Sequence, residues 1–131
     1  MASIFSKIIA GELPCYKIAE TENYLAFLDV FPLTEGHVLV IPKKETDNIF
    51  DIEEEEFAGL HLFSKIVAAA VKQAVPCRKV GVAVIGLEVP HAHIHLVPIN
   101  EVGDINFAKP KLKPTAEELQ AVAERIRSFL K

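Results

Sequence analysis

Three histidines, His91, His93 and His95, alternate with apolar residues such as Ala92 and Ile94. In an extended strand successive side chains point to opposite faces, so the three imidazoles are predicted to share one face and the apolar residues the other. An imidazole has an unperturbed pKa of about 6.5. A histidine can therefore accept a proton, donate one or attack as a nucleophile near neutral pH. The spacing predicts one strand face for chemistry and one for packing.

The residues alone leave three interpretations of this face open: solvated surface histidines, a metal site or covalent catalysis by an imidazole. Zinc–nitrogen bonds are about 2.0 to 2.1 Å long, whereas His91 and His95 should lie roughly 13 Å apart on a strand that rises about 3.3 Å per residue. One ion could therefore bind only two of the three, with a further ligand from His37 or His61. A catalytic imidazole would instead attack phosphorus and hold the transferred group as a phosphoramidate. We expect no metal and no other cofactor.

Length and composition limit the class of protein. The chain has 131 residues, half of them hydrophobic, and a formal net charge of −4. We expect a single domain over residues 1–131 with its own core, and the absence of a basic excess argues against a nucleic-acid partner. The N-terminal segment is interrupted by Lys7 and Glu12, so we expect neither a signal peptide nor a membrane partner. Cys15 and Cys77 fit reduced thiols in a cytoplasmic protein.

The first half of the chain predicts a short helix followed by three strands. Apolar residues recur at helical spacing after Ser3, a suitable N-cap, and Gly11 with Pro14 would end the helix. β-branched and aromatic residues then form three short runs, the first two joined as a hairpin. The predicted strands are Cys15–Glu20, Tyr24–Val30 and His37–Ile41.

The second half predicts a long helix and a second hairpin. Asp51 and Glu54 resemble a capping box at the start of the longest helix, which Pro76 would follow. The hairpin is expected to place the three histidines within its second strand. The predicted hairpin consists of strands Lys79–Ile85 and Val89–Ile99 joined by a tight turn at Gly86–Glu88.

A terminal helix at about 115–130 completes the predicted domain as an extension, with Thr115 and Glu118 as its capping box. The element order is then helix, three strands, helix, two strands, helix. Hairpins without regular β-α-β alternation indicate an α+β fold with an antiparallel five-stranded sheet.

The histidine segment resembles the signature of the histidine triad (HIT) family of nucleotide hydrolases and transferases, in particular the bacterial nucleoside phosphoramidase branch. Ile4–Pro14 is similar to the family's opening helix and turn. Leu25–Val30 and Gly36–Lys44 resemble its ribose-binding strand and the strand that brings a fourth histidine. The resemblance covers most of residues 3–99. It implies a HIT-like fold whose sheets join across a homodimer, and a purine nucleotide as substrate.

By this resemblance, His93 is the nucleophile that takes the nucleotidyl group from the α-phosphate. His91 and His95 would support phosphate binding, imidazole orientation and proton handling, and His37 would add a fourth imidazole. Asp29 would accept hydrogen bonds from the ribose hydroxyls, although from its position alone it could be a turn residue. Further apolar residues match positions that enclose the base, although composition alone would place them in the core: Ile4, Phe5, Ile8, Leu13, Phe27, Leu28 and Val30.

The chain departs from the phosphoramidase members just before the triad. Those members carry an Asn, a longer Gly-rich loop and Gly-Gln-Ser or Gly-Gln-Thr, whereas this chain has Ile85–Pro90. Glu88 stands near the place of the hydroxyl, and we count it and Val89 among the substrate-binding candidates. A carboxylate there would repel phosphate unless it is protonated or paired with a histidine. Glu88 could act as an acid, reduce turnover or lie on the surface. The Cys-x-x-Cys of zinc-binding members is absent.

The expected function is therefore hydrolysis or nucleotidyl transfer at the α-phosphate of a purine nucleotide derivative, such as a nucleoside phosphoramidate, through a nucleotidyl-His93 intermediate. A dinucleoside polyphosphate hydrolase and a catalytically weak nucleotide-binding or adaptor protein are the alternatives.

Overall fold

A computed structural model describes residues 3–130, which form five strands and three α-helices together with two short 3-10 helices. This order confirms the predicted α+β class. Residues 1, 2 and 131 of the predicted domain lie outside the described part. The helices are α1 (Ile4–Ile9), α2 (Glu54–Ala74) and α3 (Ala116–Arg127). The strands are β1 (Lys17–Glu20), β2 (Tyr24–Leu28), β3 (Val38–Pro42), β4 (Lys79–Ala83) and β5 (Ile94–Ile99).

The five strands form one sheet in the order β1-β2-β3-β5-β4, and all neighbouring strands are antiparallel. The antiparallel five-stranded sheet was therefore predicted correctly. β5 lies between β3 and β4, and its His95 is paired with Leu39 of β3. The strand that carries the last histidine is thus held on both sides by hydrogen-bonded neighbours.

Side-chain alternation along β3 divides the core into two parts. Val38 and Val40 belong to the larger cluster, which includes the apolar faces of α2 and α3. Leu39 and Ile41 point to the opposite side and pack with Phe5 of α1. Both faces of the sheet are therefore covered: α2 and α3 pack on one face, and α1 and the histidines lie on the other.

Two predicted helix caps are confirmed. The Ser3 side chain accepts a hydrogen bond from the Ser6 N–H at 3.0 Å, and Gly11 follows the helix at φ +81°. Thr115 and Glu118 form the reciprocal capping box of α3. These caps satisfy N–H groups that have no partner within the first turn of a helix.

The predicted capping box at Asp51 is wrong. α2 begins at Glu54 with Glu53 as its N-cap, and no side-chain bond caps it. Asp51 instead ends a 3-10 helix whose N-cap is Asn48, since the Asn48 side chain accepts the Phe50 N–H at 3.0 Å. An extended residue, Ile52, separates this turn from α2.

The predicted turn at Gly86–Glu88 is also wrong. β4 ends at Ala83 and β5 begins at Ile94, so a loop of residues 84–93 joins them and only His95 of the triad lies in a strand. Backbone bonds explain the difference: the His91 N–H donates to the Val89 carbonyl at 2.8 Å and the Ala92 N–H to the Thr46 carbonyl at 2.7 Å. These groups bond outside the β4–β5 ladder, and Pro90 has no N–H to donate.

Within residues 3–130, none of the helices is long and apolar enough to cross a membrane.

Candidate active site

A cavity of about 370 Å³ lies beside the histidines, on the face of the sheet that α1 covers. Its walls come from α1, the end of β2, the loop before β5 and the segment after β5. Eight of the predicted site residues line it: Ile4, Phe5, Asp29, His37, Glu88, Val89, His93 and His95.

A hydrogen bond of His93 shows which of its ring nitrogens carries the lone pair. Its Nδ1 lies 2.8 Å from the carbonyl oxygen of His91. A carbonyl can only accept, so Nδ1 carries the hydrogen, and Nε2 of the neutral ring holds a lone pair. Burial is the largest effect on this ring and lowers the pKa of His93 below its usual value of 6.5. His93 is therefore neutral at pH 7 and bears an unprotonated Nε2 in a residue that lines the cavity.

His37 and His95 form a hydrogen-bonded pair with a defined direction. The Leu33 N–H donates to Nδ1 of His37 at 3.0 Å, so the hydrogen of His37 is on Nε2. This Nε2 lies 2.9 Å from Nδ1 of His95, which must accept, and the His95 hydrogen is then on its Nε2. Burial lowers the pKa of His37 to about 4 and that of His95 to about 3. Both rings are neutral near pH 7, and His95 keeps an N–H to donate.

His91 is held behind the cavity. Its ring is fully buried, with Nε2 2.7 Å from the Pro42 carbonyl oxygen and Nδ1 3.1 Å from Oγ of Ser3. The same residue supplies the carbonyl that bonds to His93. His91 thus connects α1, the end of β3 and the candidate nucleophile.

Glu45 forms hydrogen bonds with the start of α1 beside His91. Its Oε1 accepts hydrogen bonds from the Ser3 N–H at 2.8 Å and the Ser6 hydroxyl at 2.7 Å. These bonds, with the Ser6 hydroxyl first, lower the pKa of Glu45 to about 2. Nδ1 of His91 lies 4.0 Å from the same oxygen. Glu45 and the two serines were not predicted as site residues because each is an ordinary surface type in the sequence.

Phe5 packs its ring edge-on against the histidines. Its centroid lies 5.0 Å from that of His93 and 5.8 Å from that of His91, and a third edge contact joins it to Phe27 at 5.6 Å. Only 6% of Phe5 is exposed. α1 therefore packs against the rings of His91 and His93 and also lines the cavity.

Asp29 lies at the end of β2 and has two roles in the structure. Its Oδ1 accepts the Phe31 N–H at 2.9 Å, as in a turn, and its Oδ2 lies 3.8 Å from Nε2 of His37. Burial raises the pKa of its carboxyl, opposed by the bond from Phe31 and by the nearby Lys111 ammonium. The carboxylate faces the cavity beside the histidine pair, and its binding of ribose stays a prediction.

Five residues predicted to enclose the base do not line this cavity. Leu28 belongs to the core beneath α2 and α3, while Phe27 and Ile8 pack in the cluster beneath α1. Leu13 and Val30 are exposed. None of the five lines the cavity, so their contact with a base would require the substrate to extend beyond it.

Phe107 and Lys111 line the cavity and were missed in the sequence. The Phe107 ring lies edge-on to His95 with centroids 4.7 Å apart. Nζ of Lys111 donates to the carbonyls of Phe107 and Lys109. These residues follow β5 in a segment without periodicity. The one available signal was an aromatic residue and a cation after the histidine strand.

Asp29, His37 and His95 are the described group that could hold a metal ion, with one ligand atom from each within 4.8 Å of the others. Nε2 of His37 and Nδ1 of His95 are hydrogen-bonded to each other at 2.9 Å, so an ion bound to these two nitrogens would displace that bond. Such an ion would also have to strip the proton from Nε2 of His37.

A model of the HIT domain matches residues 10–102. The chain is 35% identical to adenosine 5'-monophosphoramidase hnt1 of Schizosaccharomyces pombe over 133 aligned positions, which cover 100% of both proteins. A crystal structure of a Hit-like protein involved in cell-cycle regulation, from Bartonella henselae, superposes with a TM-score of 0.86 at 30% identity, covering 98% of this chain and 96% of that one. A hypothetical histidine triad nucleotide-binding protein from Sulfolobus tokodaii gives 0.81 at 30% identity, with 95% and 89% covered.

Proposed function

The chain belongs to the HIT family, and from this membership we propose that it hydrolyses or transfers the nucleotidyl group of a purine nucleotide derivative at its α-phosphate. A nucleoside phosphoramidate is the substrate we favour, because the relative from Schizosaccharomyces pombe is named an adenosine 5'-monophosphoramidase. The observation that carries the proposal is the tautomer of His93, whose Nδ1 is bonded to the His91 carbonyl and whose Nε2 therefore bears the lone pair.

In the proposed first step, Nε2 of His93 attacks the α-phosphorus. A phosphorus–nitrogen bond forms, the bond to the leaving group breaks, and the leaving group takes a proton from solvent water. The His93 ring becomes positively charged, and its Nδ1–H bond to the His91 carbonyl stabilises that charge. In the second step water attacks phosphorus, the electron pair of the bond to His93 returns to Nε2, and the proton that the water loses passes to the solvent as the nucleoside monophosphate is released.

His95 would stabilise the charge on the phosphate oxygens. Its Nε2–H is fixed by the bond from His37 to its Nδ1 and by the bond from the Leu33 amide to His37. A donor that is oriented before the substrate binds needs no reorganisation when charge develops. The ring stays neutral because burial lowers its pKa to about 3, so it contributes a dipole rather than a full charge.

The test is release of AMP from adenosine 5'-phosphoramidate, followed by chromatography. We expect wild-type activity and a loss on the order of 10³-fold or more in His93→Ala, as for removal of a nucleophile. His61→Ala is the matched control, because His61 is exposed on α2 and does not line the cavity. Activity of His93→Ala at the wild-type rate would overturn the role of His93.

Glu88 favours a second candidate, a nucleotide-binding protein with weak turnover. It lines the cavity, and by the resemblance it stands near the place of the hydroxyl of phosphoramidase members. Tight AMP binding in calorimetry without turnover of adenosine 5'-phosphoramidate or a dinucleoside polyphosphate would favour this candidate. In that case we expect Glu88→Ser to increase turnover. If the wild type instead cleaves a dinucleoside polyphosphate faster than adenosine 5'-phosphoramidate, the dinucleoside polyphosphate hydrolase alternative is favoured.

We propose in addition a homodimer in which β4 pairs with its symmetry mate. β1 and β4 are the edges of the sheet. β1 carries the Lys17–Glu20 ion pair at 2.7 Å, a charged edge that discourages pairing, whereas β4 leaves 61% of Val82 exposed. Light scattering after gel filtration should give twice the chain mass, and Val82→Lys should shift it toward the monomer. A monomeric wild type at micromolar concentration would refute the dimer.

A further inference from the structure

Among the described residues that line the cavity, Lys111 is the one lysine or arginine. Its described lining residues include two carboxylates, from Asp29 and Glu88, and one ammonium, from Lys111. The imidazoles add no charge near neutral pH, because burial lowers the pKa values of His37, His93 and His95. A bound phosphate group would therefore find one cation among residues 3–130 of the cavity wall.

The Lys111 side chain is held at this wall by the backbone. Its Nζ donates to the Phe107 carbonyl and, at 3.2 Å, to the Lys109 carbonyl. The next residue, Leu112, donates its N–H to the Pro32 carbonyl at 2.9 Å. An ammonium has three hydrogens, so two carbonyl bonds leave one for a ligand.

Residues 107–111, which we call the strap, line the same cavity as the histidine pair through Phe107 and Lys111. Phe107 contacts the ring of His95 at a centroid distance of 4.7 Å and that of His37 at 6.2 Å. The Lys111 ammonium lowers the pKa of His37 in the same direction as burial does, and it lowers the pKa of Asp29 against the effect of burial. Lys111 therefore lines the same cavity as Asp29, His37 and His95.

We propose that Lys111 binds the α-phosphate of the nucleotide and supplies the positive charge that the neutral imidazoles lack. This inference rests on the proposed function, because it assigns a phosphate to the cavity. It assigns the charge to a residue of the strap rather than to the triad. In this chain the loop before β5 has neither the amide nor the hydroxyl of the phosphoramidase members, and Lys111 takes over the task of holding the phosphate.

The proposal predicts that Lys111 contributes to AMP binding through its charge rather than through its shape. AMP and adenosine differ by the phosphate alone, so the affinities of both should be measured by calorimetry for the wild type and Lys111→Gln. Gln keeps a donor for the strap carbonyls and removes the charge. We expect AMP to bind at least about tenfold more weakly to Lys111→Gln, as for loss of a hydrogen bond between charged groups, and adenosine to bind within about twofold of the wild type.

Three controls separate this role from a structural one. Lys111→Arg should keep most of the preference for AMP over adenosine, and Lys113→Gln should keep all of it, because Lys113 does not line this cavity. Raising the salt concentration should weaken AMP binding to the wild type more than to Lys111→Gln. Circular dichroism of each variant checks that the fold is retained.

Equal weakening of AMP and adenosine in Lys111→Gln would show that Lys111 only holds the strap, and would overturn the proposal. Unchanged AMP binding in Lys111→Gln would overturn it as well. In both cases wild-type release of AMP from adenosine 5'-phosphoramidate would leave the proposed function intact. A wild type that neither binds AMP nor releases it would refute the proposed function and this inference together.

Discussion

Replacing Gly36 by alanine is expected to lower the free energy of unfolding by about 3 kcal/mol, from two separate causes. Gly36 has φ +91°, where a residue with a Cβ is strained by about 1 to 2 kcal/mol. An added Cβ would also lie 2.7 Å from Cγ2 of Val75 and 3.2 Å from Cγ of Pro98. Inserting a methyl group into such packed surroundings costs about 1 to 3 kcal/mol.

Two other glycines allow these causes to be separated. Gly11 has φ +81° and no atom within 4 Å of an added Cβ, so Gly11→Ala should show strain alone, about 1 kcal/mol. Gly103 has neither a positive φ nor a neighbour within 4 Å, so Gly103→Ala should change stability by less than about 0.5 kcal/mol. Urea unfolding at equilibrium, analysed by linear extrapolation with the slope compared among the variants, measures all three.

The ranking decides the outcome. If Gly36→Ala is no less stable than Gly11→Ala, the close approach of Val75 does not add to the cost of the substitution and this part of the reasoning is refuted. If both are as stable as Gly103→Ala, the argument from backbone strain fails. Because Gly36 immediately precedes His37, Gly36→Ala should also reduce AMP release at temperatures where it remains folded, and Gly11→Ala should reduce it less.

Three further predictions concern protonation, a helix cap and metal ions. Lowering the pH from 6.5 toward 4 should reduce the free energy of unfolding, because unfolded histidines gain a proton near 6.5 while folded His37 stays neutral to about 4 and His95 to about 3. Each ring contributes at most about 1.4 kcal/mol per pH unit to this loss. Urea titrations across this pH range should show that the free energy of unfolding depends less steeply on pH in His37→Asn than in the wild type. An equally steep dependence would contradict the lowered pKa of His37. Thr115→Ala should cost about 1 kcal/mol in urea unfolding through loss of the α3 cap, and a loss below about 0.3 kcal/mol would show that the cap contributes little. Treatment with a chelator should leave AMP release unchanged. If metal analysis finds stoichiometric zinc and the chelator removes both the zinc and the activity, the metal-free mechanism is contradicted.

The parts of the fold that could be predicted are those set by local residue patterns. Ser3 and Thr115 cap helices because their side chains bond to an N–H three residues ahead, and that bond needs no distant partner. The strand cores were predicted for the same reason, since β3 and β5 are runs of β-branched and apolar residues. The errors at Asp51 and at Gly86–Glu88 arise where distant or competing hydrogen bonds decide the backbone, as in the bond from Ala92 to Thr46.

The candidate site was predicted to a similar extent. Residue type and spacing indicated His91, His93 and His95, and in the structure the rings of His93 and His95 are in contact while Phe5 contacts those of His91 and His93, although only His95 lies in a strand. The tautomers could not be predicted, because they depend on carbonyl and amide groups from other segments. Lys111 was missed because nothing in a loop without periodicity indicates which direction a side chain takes.

The amide of Leu33 restricts which residues can replace His37. Position 37 must offer an acceptor to that amide and a donor to His95, and a positive charge would destroy the acceptor. The two bonds use two different atoms of the side chain, and among neutral side chains only histidine, asparagine and glutamine carry a donor and an acceptor on separate atoms. Related chains that lack histidine at this position are accordingly expected to carry one of the two amides and to avoid lysine and arginine, even where the pocket binds an anion.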